Sequence, residues 1–267
     1  MKLLLKLIIV CLFGYMLVAP WLTDTEQQTE SKDKATQVKK VVVEKPLHNV
    51  KLPDFAEIRD VKERKKAFFD LLKPHVIAEN KRILKQREKI DLALTELELG
   101  FAVPETQIKP LKKILVEYKL DDTVNEENLT RALRRVDIIP RAMVLTQAAN
   151  ESGWGTSRFA RIGLNFFGLW CFKEGCGMVP NKRNEGRSHE VAAFKTLEQS
   201  VRAYFRNINT HPAYQQLRDL RQSNRYDEQI ILAEKLLNGL GSYSERGQAY
   251  IDELNHMLMT NQRYFGE

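Results

Sequence analysis

Apolar and polar positions alternate along this chain with periods that change from segment to segment. The start, Met1-Lys2-Leu3-Leu4-Leu5-Lys6, runs into an uncharged apolar stretch from Leu7 to Val18, and polar Gln, Glu, Lys and Thr then dominate with no apolar period to about Val50. Phe68, Phe69, Leu71 and Leu72, followed by Val76, Ile83, Ile90, Leu94 and Leu97, recur at spacings of threes, fours and sevens, which predicts one face of a long helix after Pro74. That stripe reads as core, with a short coiled coil as the alternative. Helical spacing recurs from about Lys109 to Lys119, from Asn125 to Val136, from Pro140 to Glu151, and in stretches near Glu198–Asn209, Asp227–Asn238 and Glu245–Met259. Gly177–Arg183 and Ser188–Phe194 flank the turn-rich Asn184-Glu185-Gly186-Arg187 and predict a β-hairpin. The fold class expected is mainly α with a small β-hairpin lobe. The expected organisation is a leader over residues 1–22, a flexible polar linker over 23–50, a helical part over 51–136 and a catalytic part over 137–267.

The leader has the basic and apolar regions of a secretory signal. Ala19 is followed by Pro20, a poor cleavage context, so an uncleaved anchor stands beside a removed signal, and a buried core helix is the third reading. Export changes the meaning of the charge. The formal net charge of +7, concentrated in Lys32–Lys45 and Arg59–Lys89, then points to a polyanionic envelope surface rather than to nucleic acid, for which no recognition motif is present. It also changes the meaning of the cysteines. Cys11 lies in the apolar run, whereas Cys171 and Cys176 read as a local disulfide, with two buried free thiols as the alternative. The five histidines are scattered singly, so no metal is implied, and neither is a cofactor.

Glu151 ends an apolar helical run and is followed at once by Ser152-Gly153-Trp154-Gly155 and by Asn165-Phe166-Phe167-Gly168. The negative end of a helix and aromatic neighbours both raise a carboxyl pKa toward the range of a general acid. Hydrolysis of a glycosidic bond needs such an acid, together with a second group that stabilises an oxocarbenium-like centre.

Ala149-Asn150-Glu151-Ser152-Gly153-Trp154-Gly155-Thr156-Ser157, Asn165-Phe166-Phe167-Gly168 and Tyr243-Ser244-Glu245-Arg246-Gly247-Gln248-Ala249-Tyr250 together resemble the exported glucosaminidases of glycoside hydrolase family seventy-three. Trp170-Cys171-Phe172 through Gly175-Cys176-Gly177, and Asn209-Thr210-His211-Pro212-Ala213-Tyr214, resemble its Bax-type branch. The resemblance is close from about Ile139 to Leu258. It implies a lysozyme-like α+β fold that cleaves after N-acetylglucosamine in peptidoglycan, with Glu151 as general acid. It also implies that Asn165, Phe167 and Gly168 line the glycan cleft and that Tyr243 and Tyr250 belong to the late tyrosine motif, Tyr243 helping to stabilise the reacting sugar. The late motif departs from the commoner Tyr-Ala-Thr-Asp-Pro form.

The second carboxylate is the weak match. Glu190 in the second hairpin strand is the candidate expected to face Glu151, in preference to Glu185 at the tip. Trp154 joins the candidate substrate-binding set, although its place beside a helix end favours core packing; Phe166 shares that preference, and Tyr250 lies on a stripe with Ile251, Leu254 and Leu258 that suits packing equally. The expected partner is the glycan strand of peptidoglycan, with the membrane a second partner through an uncleaved anchor, and a monomer is expected. A lytic transglycosylase and an inactive wall-binding module are the competing functions.

Overall fold

The computed structural model describes residues 44–180, 188–227 and 231–266. The leader, most of the linker and the hairpin tip with Glu185 lie outside the described residues.

A single 38-residue helix, α1 (Val61–Glu98), organises the rest. Asp60 caps it, the carboxylate accepting from the Glu63 amide at 2.8 Å. The helix starts well before the expected point and carries Pro74 inside it. Proline removes one internal hydrogen bond, and the burial of Phe68, Phe69 and Leu72 ahead of it offsets that loss. The stripe is core, as its spacing implies: Phe68, Leu72, Val76, Ile83 and Ile90 are all fully buried.

Two short helices, α2 (Glu105–Glu117) and α3 (Glu126–Arg135), follow, and α3 is capped by Asn125. The central helix α4 (Arg141–Ser152) buries every residue from Ala142 to Ala149, so it is enclosed on all sides, with Thr146 and Gln147 the buried polar residues of that run. It packs against α1, and against α8 and α9 described below. Pro140 precedes its first turn, and Gly153, left-handed at φ 55°, ends it. After α5 (Arg158–Gly163) the chain enters the β lobe.

That lobe is a three-stranded antiparallel sheet of order β1-β3-β2, made of β1 (Trp170–Cys171), β2 (Gly177–Met178) and β3 (Glu190–Ala192). The expected hairpin is present as the β2–β3 pair. β1 adds a strand the periodicity did not announce, because two residues are too few to show alternation.

Helices α6 (Leu197–Thr210), α7 (Gln215–Asp227), α8 (Ala233–Leu237) and α9 (Gln248–Phe265) complete the described structure. Helix α7 was not expected. Its inward residues include Arg218, Arg221 and Asn224 beside Leu217, so its buried face has no apolar period to read. The helix expected over Asp227–Asn238 is observed as α8 alone, and residues 228–230 lie outside the described set. Within the expected linker, Leu47 and His48 lie against the domain: the Leu47 amide donates to the Ile162 carbonyl at 2.8 Å, and Lys195 donates to the Leu47 carbonyl at 2.8 Å. Among the described residues, no helix is long and apolar enough to cross a membrane.

Candidate active site

Glu151 sits in the last turn of α4, and Gln147 lies one turn earlier on the same face. A hydrogen-bonded chain connects them through α6 and α9. The Tyr204 hydroxyl donates to Gln147 Oε1. Gln147 Nε2 donates to the Tyr250 hydroxyl at 3.0 Å, and Tyr250 donates to Glu151 Oε1 at 2.7 Å. Because Tyr204 occupies the amide oxygen, the amide nitrogen faces Tyr250, whose single proton is left for Glu151. Oε1 is therefore an acceptor, and a transferable proton belongs on Oε2.

Oε2 faces Gly168. A Cβ added at Gly168 would lie 3.4 Å from it, and the backbone there is left-handed at φ 64°, so a side chain would both strain the turn and crowd the carboxyl. Gly168 is exposed, which leaves the proton-bearing oxygen beside the molecular surface.

The Glu151 pKa is raised above its ordinary value. Burial is the main cause, the Tyr250 hydrogen bond opposes it, Glu253 adds to it, and Arg246 pulls the other way. Glu253 and Arg246 pair at 2.6 Å, so their effects on Glu151 partly cancel.

Tyrosines wall the rest of the site. Tyr243 donates to the Phe167 carbonyl at 2.7 Å, and its ring lies parallel to Tyr250 with centroids 5.8 Å apart. Tyr214 packs beside Tyr243 at 5.8 Å. Burial pushes the Tyr204, Tyr214, Tyr243 and Tyr250 hydroxyls up, so they stay protonated as donors over the whole useful pH range. Tyr243 and Tyr250 thus come together with Glu151, as do Phe167 and Gly168 through their backbones.

Other expected site residues are placed differently. Asn165 is buried, its amide donating to the Leu169 and Ala192 carbonyls and accepting from the Phe167 and Leu169 amides, so it holds the turn rather than reaching for a sugar. The Phe167 ring is buried and stacked on Tyr204 at 4.3 Å, which removes it as an open platform. Trp154 takes the core-packing role that its place beside a helix end favours, lying among Phe68 and Phe69 at 5.7 and 5.4 Å under Lys65 in the aromatic cluster that docks α1. Phe166 is fully buried in the same cluster.

Glu190 is turned into the disulfide loop instead of toward Glu151. Its two carboxylate oxygens accept from the Gly175 and Gly177 amides at 3.0 and 2.8 Å. Cys171 and Cys176 form the expected disulfide, and Glu190 reaches within 4.8 Å of both sulfurs. A buried carboxylate favours backbone donors that match its charge, and these two amides, orphaned by the loop, supply them.

Gln147, Tyr204, Tyr214, Arg246 and Glu253 were not singled out as site residues by sequence reasoning. Gln147 was legible in principle, being four residues before Glu151. Tyr204 was hidden by its place on an apolar stripe with Val201, Phe205 and Ile208.

Glu151 is thus a half-buried, pKa-raised carboxylic acid at a helix end, with one oxygen held by Tyr250 and the other beside the surface, properties that suit a general acid. The chain belongs to the mannosyl-glycoprotein endo-β-N-acetylglucosaminidase family, whose model matches residues 126–263. It is also 36% identical over 214 residues to Protein bax of Escherichia coli (strain K12), covering 79% of this chain and 75% of that one. No solved structure matches significantly. The chain is thus a glycan hydrolase in the general sense that its family defines.

Proposed function

We propose that the protein cleaves the β-1,4 bond after N-acetylglucosamine in peptidoglycan, with Glu151 as general acid. The observation that carries this reading is the directed chain Tyr204–Gln147–Tyr250–Glu151, which holds Oε1 as an acceptor and leaves Oε2 to protonate the leaving oxygen. Among the described residues the carboxylate that acts on Glu151 is Glu253, and Arg246 binds it, so the positive centre on the sugar is met differently. The electron-rich face of Tyr243 stabilises it, with the substrate's own N-acetyl oxygen as nucleophile. Glu190 acts on the lobe rather than on the reaction. The disulfide and the family's glycan chemistry both support an exported protein working on the cell wall, with the N-terminal segment as leader or tether.

A general acid working without a second catalytic carboxylate also suits a lytic transglycosylase, in which the muramic 6-hydroxyl attacks in place of water. Mass analysis of the products separates the two, since only the second leaves anhydro ends.

The direct test is clearance of a purified peptidoglycan suspension by wild type beside Glu151→Gln. The amide keeps the shape and loses the transferable proton, so the rate should fall about 10²- to 10⁴-fold in a normally folded protein. Activity within about twofold of wild type would sink the assignment.

A further inference from the structure

Two large aromatic side chains stand out from the β lobe shortly after Gly168 in the chain. Trp170 is 55% exposed and Phe172 is 76% exposed, whereas most other aromatic rings of the fold are buried or half-buried. Exposed aromatic rings two residues apart form the kind of contiguous apolar surface that marks a contact site.

Trp170 is held in place. In the β1–β3 register it lies opposite Val191, which makes His189 its diagonal neighbour on the same face, and the two rings stack at 4.3 Å and 16°. The opposite face carries Cys171 and Glu190, paired in register, with the disulfide and the two glycine amides bound to the carboxylate. One face of the lobe is thus a clamp, and the other presents a propped indole.

Its position ties it to the cleavage point. Trp170 is two residues beyond Gly168, the glycine against Glu151 Oε2, so the two backbones lie at most about 7 Å apart. That is the reach of a neighbouring sugar rather than of the bond being cut. A flat, wide ring with a polar N–H suits a pyranose, whose axial C–H bonds form an apolar face rimmed by hydroxyls. A protein partner would need a broader apolar patch, but exposed Lys173 and Glu174 interrupt this one directly after Phe172.

We propose that Trp170, propped by His189, is a carbohydrate-stacking subsite for a β-1,4-linked N-acetylhexosamine next to the scissile unit. The subsite rests on the glycan-cleaving reading above, and its test is a binding measurement that needs no turnover. Calorimetric titration of the Glu151→Gln protein with chitohexaose should show binding. Adding Trp170→Ala should weaken it about tenfold or more, whereas Trp170→Phe should retain most of it, with melting temperatures unchanged. The indole N–H cross-peak that disappears in Trp170→Phe should shift when chitohexaose is added to the Glu151→Gln protein, and this readout does not depend on the alanine variant folding. Equal affinity in a folded Trp170→Ala protein, or a stationary cross-peak under saturating sugar, would overturn the subsite alone. Failure of the Glu151→Gln protein to bind the glycan at all would overturn both readings.

Discussion

Tyr250 has two opposed effects on Glu151: its ring helps bury the acid, while its hydroxyl donates to the charged form and lowers the pKa. Removing the hydroxyl in Tyr250→Phe therefore raises the Glu151 pKa further, and the basic limb of the pH–rate profile should move to higher pH. The same change leaves the buried Gln147 amide without its acceptor, at a cost of about 1–3 kcal/mol of stability, readable as a lower melting temperature. Glu151 itself should show the cost of an ionised acid in a buried setting. With its folded pKa raised, the native state holds the proton longer than the unfolded chain, so Glu151 subtracts stability as pH rises above the unfolded value. Glu151→Gln should therefore melt above wild type at neutral pH, and the gap should close in acid. A gap independent of pH would count against the raised pKa.

At the scale of elements, the β lobe depends on a carboxylate that sequence reasoning had reserved for chemistry. Glu190 anchors the β1–β2 connection to β3 through the Gly175 and Gly177 amides. Glu190→Gln replaces one accepting oxygen by an N–H that confronts an amide donor. Expected outcomes are a destabilisation of about 1–3 kcal/mol and faster hydrogen exchange at Gly175 and Gly177. A strong loss of turnover with unchanged exchange would instead return Glu190 to the reaction. Helix identity was legible wherever one face was apolar, as in α1, α3, α4 and α6. It failed at α7, whose inward face is arginine, because periodicity reports burial only when the buried groups are apolar.

At the scale of the whole molecule, Asp137 joins three elements through one carboxylate: Arg87 from α1 at 3.4 Å, the chain just after α3, and Arg225 and Arg221 from α7. Burial works to raise its pKa, but Arg225, Arg221 and Arg87 hold it below the ordinary carboxylate value, while burial pushes the fully buried Arg221 down to about 10. Asp137→Asn strands those cations and should cost about 3–5 kcal/mol at neutral pH. Since the folded pKa is depressed, that contribution is present above the unfolded pKa and lost as pH falls, so the difference between variant and wild type in chemical denaturation should shrink in acid.

The sequence by itself determined the helical class, the central apolar helix ending at Glu151, the β2–β3 hairpin and the local disulfide pair. All of these follow from periodicity, turn chemistry or short spacing, which are properties of neighbouring residues. It also placed Glu151 beside a glycine turn, because both lie in one short stretch. Only the tertiary structure decided what surrounds that acid. Tyr243 and Tyr250 were expected at the site only through the family resemblance, and no local pattern records that Tyr204 from α6 joins them beside Glu151 through Gln147. The fates of Glu190, Asn165, Phe167 and Trp154 were decided in the same way. A polar or aromatic side chain serves substrate or scaffold according to which unpaired amides and rings packing brings within reach, and that is set by contacts across the whole chain.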